Sequence, residues 1–270
     1  MARIRPAAVA GAFYPDDPAV LAAEVGHCLA AASPPREGER PPKAIIAPHA
    51  GYIYSGPVAG TAYARIAPLR GRIARVVLAG PAHRVYVRGA AVPRAGAFST
   101  PLGDIELDAE ALERLRALPF VETSDQAHAL EHSLEVHLPF LQAVLGPFRL
   151  VPVVVGDASA AEMAALFEAA WGGEETLVVV SSDLSHYLPY ASAREKDRET
   201  ARAIVSLAPR IEPDEACGAA PVNGLLEFAR RRGMHAELLD LRNSGDTAGG
   251  RGQVVGYGAF AFREPEARHA

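Results

Sequence analysis

A chain of 270 residues, about half of them hydrophobic (49%), is long enough for one large α/β domain or two smaller ones, with a substantial core. Its formal charge of −5 is modest and no basic stripe is interleaved with aromatics, which excludes a nucleic-acid partner from this reading. Two distant cysteines, Cys28 and Cys217, exclude a disulfide framework; with no signal-peptide pattern and no apolar run near the ~20 residues of a membrane span, a cytoplasmic location and no membrane partner are predicted.

Residues 1–15, ending Gly11-Ala12-Phe13-Tyr14-Pro15, read as extended. A helix is predicted over about 17–32, with Asp16 or Asp17 as N-cap and Pro18 in its first turn. Residues 33–42 form a polar surface loop too short to separate domains. A first strand at 44–47 precedes a helix at about 57–67, and a second strand covers 75–79. Gly89, Pro93, Gly96, Pro101 and Gly103 break 89–107 into irregular strands or a hairpin. Helical periodicity returns at 108–118 and at about 131–145, where Leu134, Leu138, Leu141 and Leu145 recur and Pro139 implies a kink or a late start. A third strand at 150–155 leads to a helix over 158–171, and a fourth strand spans 177–181. Helices follow at about 192–207 and 213–232, and the alternating glycine and apolar tail 254–262 closes the sheet. No repeat or linker interrupts this order, so 1–270 reads as a single α/β domain, a doubly wound, mostly parallel sheet flanked by helices.

Three strands share one ending. Ala44–Ala47 runs into Pro48-His49, Val76–Ala79 into Gly80-Pro81-Ala82-His83, and Leu177–Val180 into Ser181-Ser182-Asp183-Leu184-Ser185-His186. Continuous apolar runs of this length read as strands buried on both faces, and ligands in open α/β sheets bind beyond the carboxyl ends of such strands. Three imidazoles at one sheet edge therefore point to a metal or acid–base site. Asp183, three residues before His186, can orient its tautomer and raise its basicity.

Glu131-His132-Ser133-Leu134-Glu135-Val136-His137 invites comparison with helical zinc sites, but the spacing differs. Such sites use i and i+4, about 40° apart around the axis, whereas i and i+5 lie about 140° apart. His137 therefore cannot join His132 and Glu135 on one face, and the cluster is assigned to pocket wall, outer support or a helix N-terminus, with His132 facing the site. Cys217 falls at a helix N-terminus, where a thiol has a depressed pKa and serves as metal ligand or nucleophile; Cys28, in an amphipathic helix, reads as packing. The loop Asn243–Gly250 is glycine-rich without a phosphate-loop or dinucleotide spacing, and reads as a tight loop that helps close the pocket.

Taken in order, these segments resemble the Memo family, whose bacterial and archaeal members are called component B of the AmmeMemoRadiSam system. The likeness runs through Val-Ala-Gly-Ala-Phe-Tyr-Pro ending at Pro15, Ile46–Gly56, Gly80–His83, Thr100–Gly103 and Glu131–His137. It continues through Ser181–His186, Cys217-Gly218 with Pro221, and Asn243–Asp246, nearly the whole chain. The resemblance implies a fold like the LigB-type class III extradiol dioxygenases, in which two histidines and a glutamate hold Fe(II) and a further histidine is the acid–base catalyst. Carried over residue by residue, it implies His49 and His83 as metal ligands, Cys217 in the place of the glutamate, His186 as the acid–base group beside Asp183, and Phe13, Tyr54 and His132 lining the pocket. Ala82 departs from relatives that carry a polar residue before this histidine.

A thiolate is softer than a carboxylate and also suits copper or zinc, so iron is the first expected metal, with copper or zinc as alternatives. The implied activity is metal-dependent redox or dioxygenase-like chemistry on a small molecule. The rival reading is a non-catalytic metal-binding or peptide-binding adaptor that works with a radical-SAM partner, and a third is a zinc hydrolase using His186 or Asp183.

Overall fold

Some helix boundaries follow caps that the sequence supplies. The computed structural model describes residues 3–36 and 38–265; residues 1–2 of the extended lead-in, Glu37 of the polar loop and residues 266–270 of the single-domain span lie outside the described residues. Strand β1 (Ile4–Arg5) precedes α1 (Pro18–Ala30), where the Asp17 carboxylate accepts from the Ala19 and Val20 amides as expected of an N-cap. Next come β2 (Ala44–Ala47), α2 (Tyr52–Ile66), β3 (Arg75–Pro81), β4 (Ala90–Val92), β5 (Ala97–Thr100) and β6 (Gly103–Glu106). The middle of the chain forms α3 (Ala109–Arg116), β7 (Val121–Thr123), α4 (Asp125–Ala129), a 3-10 turn at Glu135–His137, α5 (Leu138–Leu145), β8 (Arg149–Val155) and α6 (Ala160–Ala170). The last third forms β9 (Thr176–Ser181), β10 (His186–Leu188), α7 (Tyr190–Val205), α8 (Ala219–Arg231), β11 (His235–Asn243) and β12 (Val254–Arg263).

Among the described residues the large sheet runs β10-β12-β2-β9-β3-β8-β4-β7, with β11 also paired to β12. Its centre, β2-β9-β3-β8, is parallel, as the buried apolar runs require. Its flanks are mixed: β12 lies antiparallel to β2, β10 and β11, and β4 antiparallel to β8. The central strands are buried along their whole length except for the arginines that open β3 and β8. Helices α1, α2 and α5 pack together in one layer and α6 with α8 in another, while α7 packs on β11 and β12. A small second sheet, β1-β5-β6, carries the amino-terminal segment.

Three boundaries and one long strand differ from the sequence reading; helix α8 starts at Ala219, after Gly218, and not near 213. Helix α2 begins at Tyr52, not near Pro57, because the Tyr52 amide donates to the Phe13 carbonyl at 2.8 Å and a tertiary contact starts the helix. Residues 131–134 are irregular and the helix starts only at Leu138, with Pro139 in its first turn, so the late start is the form taken. Strand β11 went unread because a register shift between Leu238 and Asp240 breaks its alternation.

Candidate metal centre

Parallel pairing sets the loops side by side. Strand β9 lies between β2 and β3, with Ala47 opposite Ser181 and Ala79 opposite Val180, so the segments carrying His49, His83 and Asp183–His186 leave one edge together. A groove of about 830 Å³ opens by Arg75 and Arg149 at the opposite edge and holds none of these histidines. Two glycines let other elements reach the site edge. A Cβ on Gly80 would sit 2.9 Å from Leu134 Cδ2 and 3.0 Å from Ser181 Cβ, so glycine lets the 131–137 segment lie close against β3 without crowding. A Cβ on Gly218 would lie 2.6 Å from the Ser181 carbonyl oxygen; its absence brings the start of α8, and with it Cys217, against the end of β9.

The result is a cluster of rings. His49 and His83 are 5.2 Å apart between centroids, His49 and His132 5.5 Å, and His83 stacks on His132 at 4.6 Å. Each of the three offers a ring nitrogen within 4.8 Å of those of the other two. Cys217 Sγ lies 3.4 Å from His49 Nε2. Sulfur and nitrogen held by one ion at bonds of about 2.0–2.3 Å and tetrahedral angles are separated by about 3.5 Å. That spacing suits a shared ion for Cys217 and His49 only; the ligand atoms that lie mutually within 4.8 Å are those of His49, His83 and His132, and the Cys217 sulfur does not join that set.

Each ligand-type residue is braced from outside. The Glu131 carboxylate accepts the His83 amide at 2.6 Å, His83 Nδ1–H at 2.9 Å and the Ser133 amide at 2.9 Å. A carboxylate only accepts, so His83 carries a proton on Nδ1, which leaves Nε2 as the nitrogen available to a metal, the arrangement usual for a metal-binding imidazole. Burial pushes the Glu131 carboxyl up, but these hydrogen bonds outweigh it and hold it at about 2. His49 donates its amide to Asp183 Oδ1 at 2.7 Å and sets Nδ1 2.6 Å from Ser181 Oγ. The Asp183 amide donates to Cys217 Sγ at 3.3 Å.

Burial dominates the electrostatics. It holds His49 well below its ordinary pKa, helped by the facing His83, His132, His137 and His186 rings, and brings His132 down to about 4. The same burial pushes the Cys217 thiol up to about 12, and the nearby Asp183 adds to the shift. Without a cation the sulfur is a thiol, not the depressed thiolate expected of a helix N-terminus. Ring nitrogens of three histidines mutually within 4.8 Å, one of them a buried His132 Nδ1 without a hydrogen-bond partner, form a donor set that fits a borderline metal ion, and Cys217 adds a sulfur beside His49.

Phe13 packs its ring 4.7 Å from His132, at the site. Tyr54 stands in the first turn of α2, 40% exposed. His186 opens β10, half-buried, and burial lowers its pKa, against a hydrogen bond to the Leu184 backbone and with a further push from His83. Asp183 does not turn toward His186; its carboxylate holds the His49 backbone, and burial raises it to about 7. Cys28 is buried packing against α2, as read.

Sequence reasoning missed the supporting residues. Glu131 and His137 were read only within a cluster assigned to wall or support, and Ser181 only as a motif member, none with an individual role. Glu135 is buried and accepts from the Ala8 and Val9 amides, Tyr14 Oη and the Arg5 guanidinium, stapling the amino-terminal segment to the 131–137 turn. Arg5 also donates to the His128 and Glu131 carbonyls, so one ion pair secures both Phe13 and the Glu131 loop. Tyr187, beside His186, takes a positive φ of 57°, a conformation no sequence signal announced.

Fold and site together define an α/β protein with a histidine-rich pocket at the carboxyl edge of a parallel sheet core. A family model described as "Memo-like protein" matches residues 5–261. The chain is 36% identical over 276 residues to a MEMO1 family protein of Aquifex aeolicus, covering 96% of this chain and 99% of that one. It is 38% identical over 280 residues to one from Methanopyrus kandleri, with the same coverages, and 39% over 284 residues to one from Ignicoccus hospitalis, covering 97% and 99%. A solved structure of an uncharacterized protein from Escherichia coli K12 aligns with a TM-score of 0.49 at 16% identity, over 82% of this chain and 100% of that chain. The chain belongs to the Memo family.

Proposed function

We propose that this Memo-family chain, acting as one domain over 1–270 in the cytoplasm, holds a single metal ion between His49, His83 and Cys217 and performs redox or dioxygenase-like chemistry on a small molecule. Fe(II) is the first choice, with copper or zinc as alternatives. The observation that carries the reading is the convergence of ring nitrogens from His49, His83 and His132, with a sulfur 3.4 Å from His49 Nε2. An ion held there would supply Lewis acidity and, if iron or copper, electron transfer.

The chain's own residues supply the rest. Glu131 keeps the His83 lone pair aimed inward, and Asp183 fixes the His49 backbone. Phe13, Tyr54 and His132 shape the pocket, with Phe13 and His132 also limiting water beside the donors. His186, neutral and half-buried at the same edge, takes a proton from the substrate and returns it to the product. His132 is the competing third donor, since its nitrogen lies in reach of both other rings.

The second reading is a metal-holding or peptide-binding protein that serves a radical-SAM partner. It draws support from the sulfur in a position where the extradiol pattern has a carboxylate, and from the crowding of Phe13 and His132 over His83. Anaerobic purification with metal analysis, then Fe(II) reconstitution and oxygen uptake over a panel of catechol-like compounds, separates the two. Turnover that His186→Ala abolishes while the metal is retained supports the first reading; retained metal without uptake across the panel supports the second. Loss of the ion in Cys217→Ser but not in His132→Gln identifies sulfur as the third donor.

A further inference from the structure

Ser181 Oγ is the hub of a buried chain that the reaction reading does not use. It lies 2.6 Å from the Ser133 carbonyl oxygen, 2.6 Å from His49 Nδ1 and 2.8 Å from His137 Nε2. His137 Nδ1 in turn lies 2.7 Å from the Tyr63 hydroxyl. All these side chains are buried, so water does not complete their bonding.

A serine hydroxyl carries one proton and two acceptor sites. The Ser133 carbonyl can only accept, so the Ser181 proton goes to it. Both imidazole nitrogens facing Ser181 must then present N–H groups. His137 is neutral, because burial brings its pKa down to about 3. With its proton on Nε2, its Nδ1 accepts from Tyr63 O–H. Every proton in the chain has one seat, and the reverse arrangement leaves the Ser133 carbonyl unpaired, at a cost of about 1–3 kcal/mol.

We propose that Ser181, held by His137 and Tyr63, is a positioning residue that locks His49 in the Nδ1–H tautomer and so reserves Nε2 as a lone pair for the metal. The Cys217 thiol, whose sulfur is 3.4 Å from that nitrogen, then finds an acceptor in the metal-free state. His49 thus receives from a serine hydroxyl what His83 receives from the Glu131 carboxylate. The two braces differ in charge: a neutral brace leaves His49 the less electron-rich of the two. The consequence for affinity rests on the metal reading; the tautomer itself does not.

Two measurements on the full chain test this. Nitrogen-15 NMR of the metal-free protein, with labelled histidine, should place the His49 proton on Nδ1 in the wild type and show the Nε2–H form in Ser181→Ala. Co(II) titration against a chromophoric chelator should show binding about 10- to 100-fold weaker in Ser181→Ala, the range for loss of an outer-sphere partner, with recovery in Ser181→Thr, which restores the hydroxyl. A purely structural serine would alter melting without moving the proton. Finding the His49 proton on Nε2 in the wild type overturns the proposal, even if Ser181→Ala does not fold. So does a folded Ser181→Ala that keeps the Nδ1–H form and wild-type Co(II) affinity. A wild type that binds no Co(II) but shows the Nδ1–H form removes the metal reading and leaves the proton assignment supported.

Discussion

Replacing Glu131 by glutamine tests how the outer partner of His83 sets metal affinity. The carboxylate accepts three N–H groups, the His83 amide through Oε2 and His83 Nδ1 with the Ser133 amide through Oε1. An amide of the same shape offers one acceptor oxygen and one NH₂. With the oxygen toward His83 Nδ1 and Ser133, the NH₂ faces the His83 amide, donor against donor. Flipped, the NH₂ meets His83 Nδ1 and drives its proton to Nε2, removing the lone pair that an ion would use. Either way a charge-assisted bond in a buried setting is lost, worth about 1.5–3 kcal/mol of stability. Metal affinity should fall about 10- to 100-fold, or about 1.4–2.7 kcal/mol. Zn(II) or Co(II) competition titrations and thermal melts of metal-free Glu131→Gln read the two effects separately. A variant that is destabilised yet binds either ion as tightly as the wild type would refute the reasoning, since the carboxylate would then be a structural brace only.

Acidification provides a second check. Burial holds His128, His132 and His137 at about 4, 4 and 3, so below about pH 6.5 the unfolded chain takes up protons that these rings refuse. Their stabilisation is complete above about pH 6.5 and declines toward pH 4, by about 1.4 kcal/mol per pH unit for each ring. Asp183 and Asp197, raised by burial to about 7 and about 6, act oppositely, favouring the fold at low pH and losing that contribution as pH rises. Three rings outweigh two carboxyls, and His49 and His186 add to the rings. The melting temperature of the metal-free chain should therefore fall between pH 6.5 and pH 4.5; a flat or rising profile contradicts this balance. Gly218→Ala should cost about 1–3 kcal/mol in urea unfolding and weaken Co(II) binding, because its Cβ meets the Ser181 carbonyl at 2.6 Å and must push Cys217 away. Arg5→Ala strips the buried Glu135 of its cation and should destabilise the fold by about 3–5 kcal/mol, read by the same unfolding; a loss below 1 kcal/mol would show the pair to be dispensable.

The parallel centre of the sheet was legible because β2, β3, β8 and β9 are apolar without alternation, which only a strand covered on both faces tolerates. The position of His49 and His83 followed from the same pattern, since turn residues end each strand just before the imidazole. What stayed hidden depends on long-range contact. The early start of α2 comes from the Phe13 carbonyl, and no local signal competes with Pro57 as a start marker. His137 was set aside on α-helical geometry that the segment does not adopt; from a 3-10 turn it meets Ser181 at the end of β9. Asp183 looked like the partner of His186 because it is near in sequence, yet its carboxylate meets the His49 amide across the sheet edge.

The strand order carries a lesson about timing. β9 separates β2 from β3, although it is made long after both, and the thiol arrives later still with the segment before α8. A chain emerging from the ribosome therefore exposes two imidazoles whose spacing is still unset, and gains the sulfur only when most of its length has been synthesised. On the proposed metal reading, such a site would be filled only after translation, and a seated ion would add a further clasp to loops that the sheet already sets side by side.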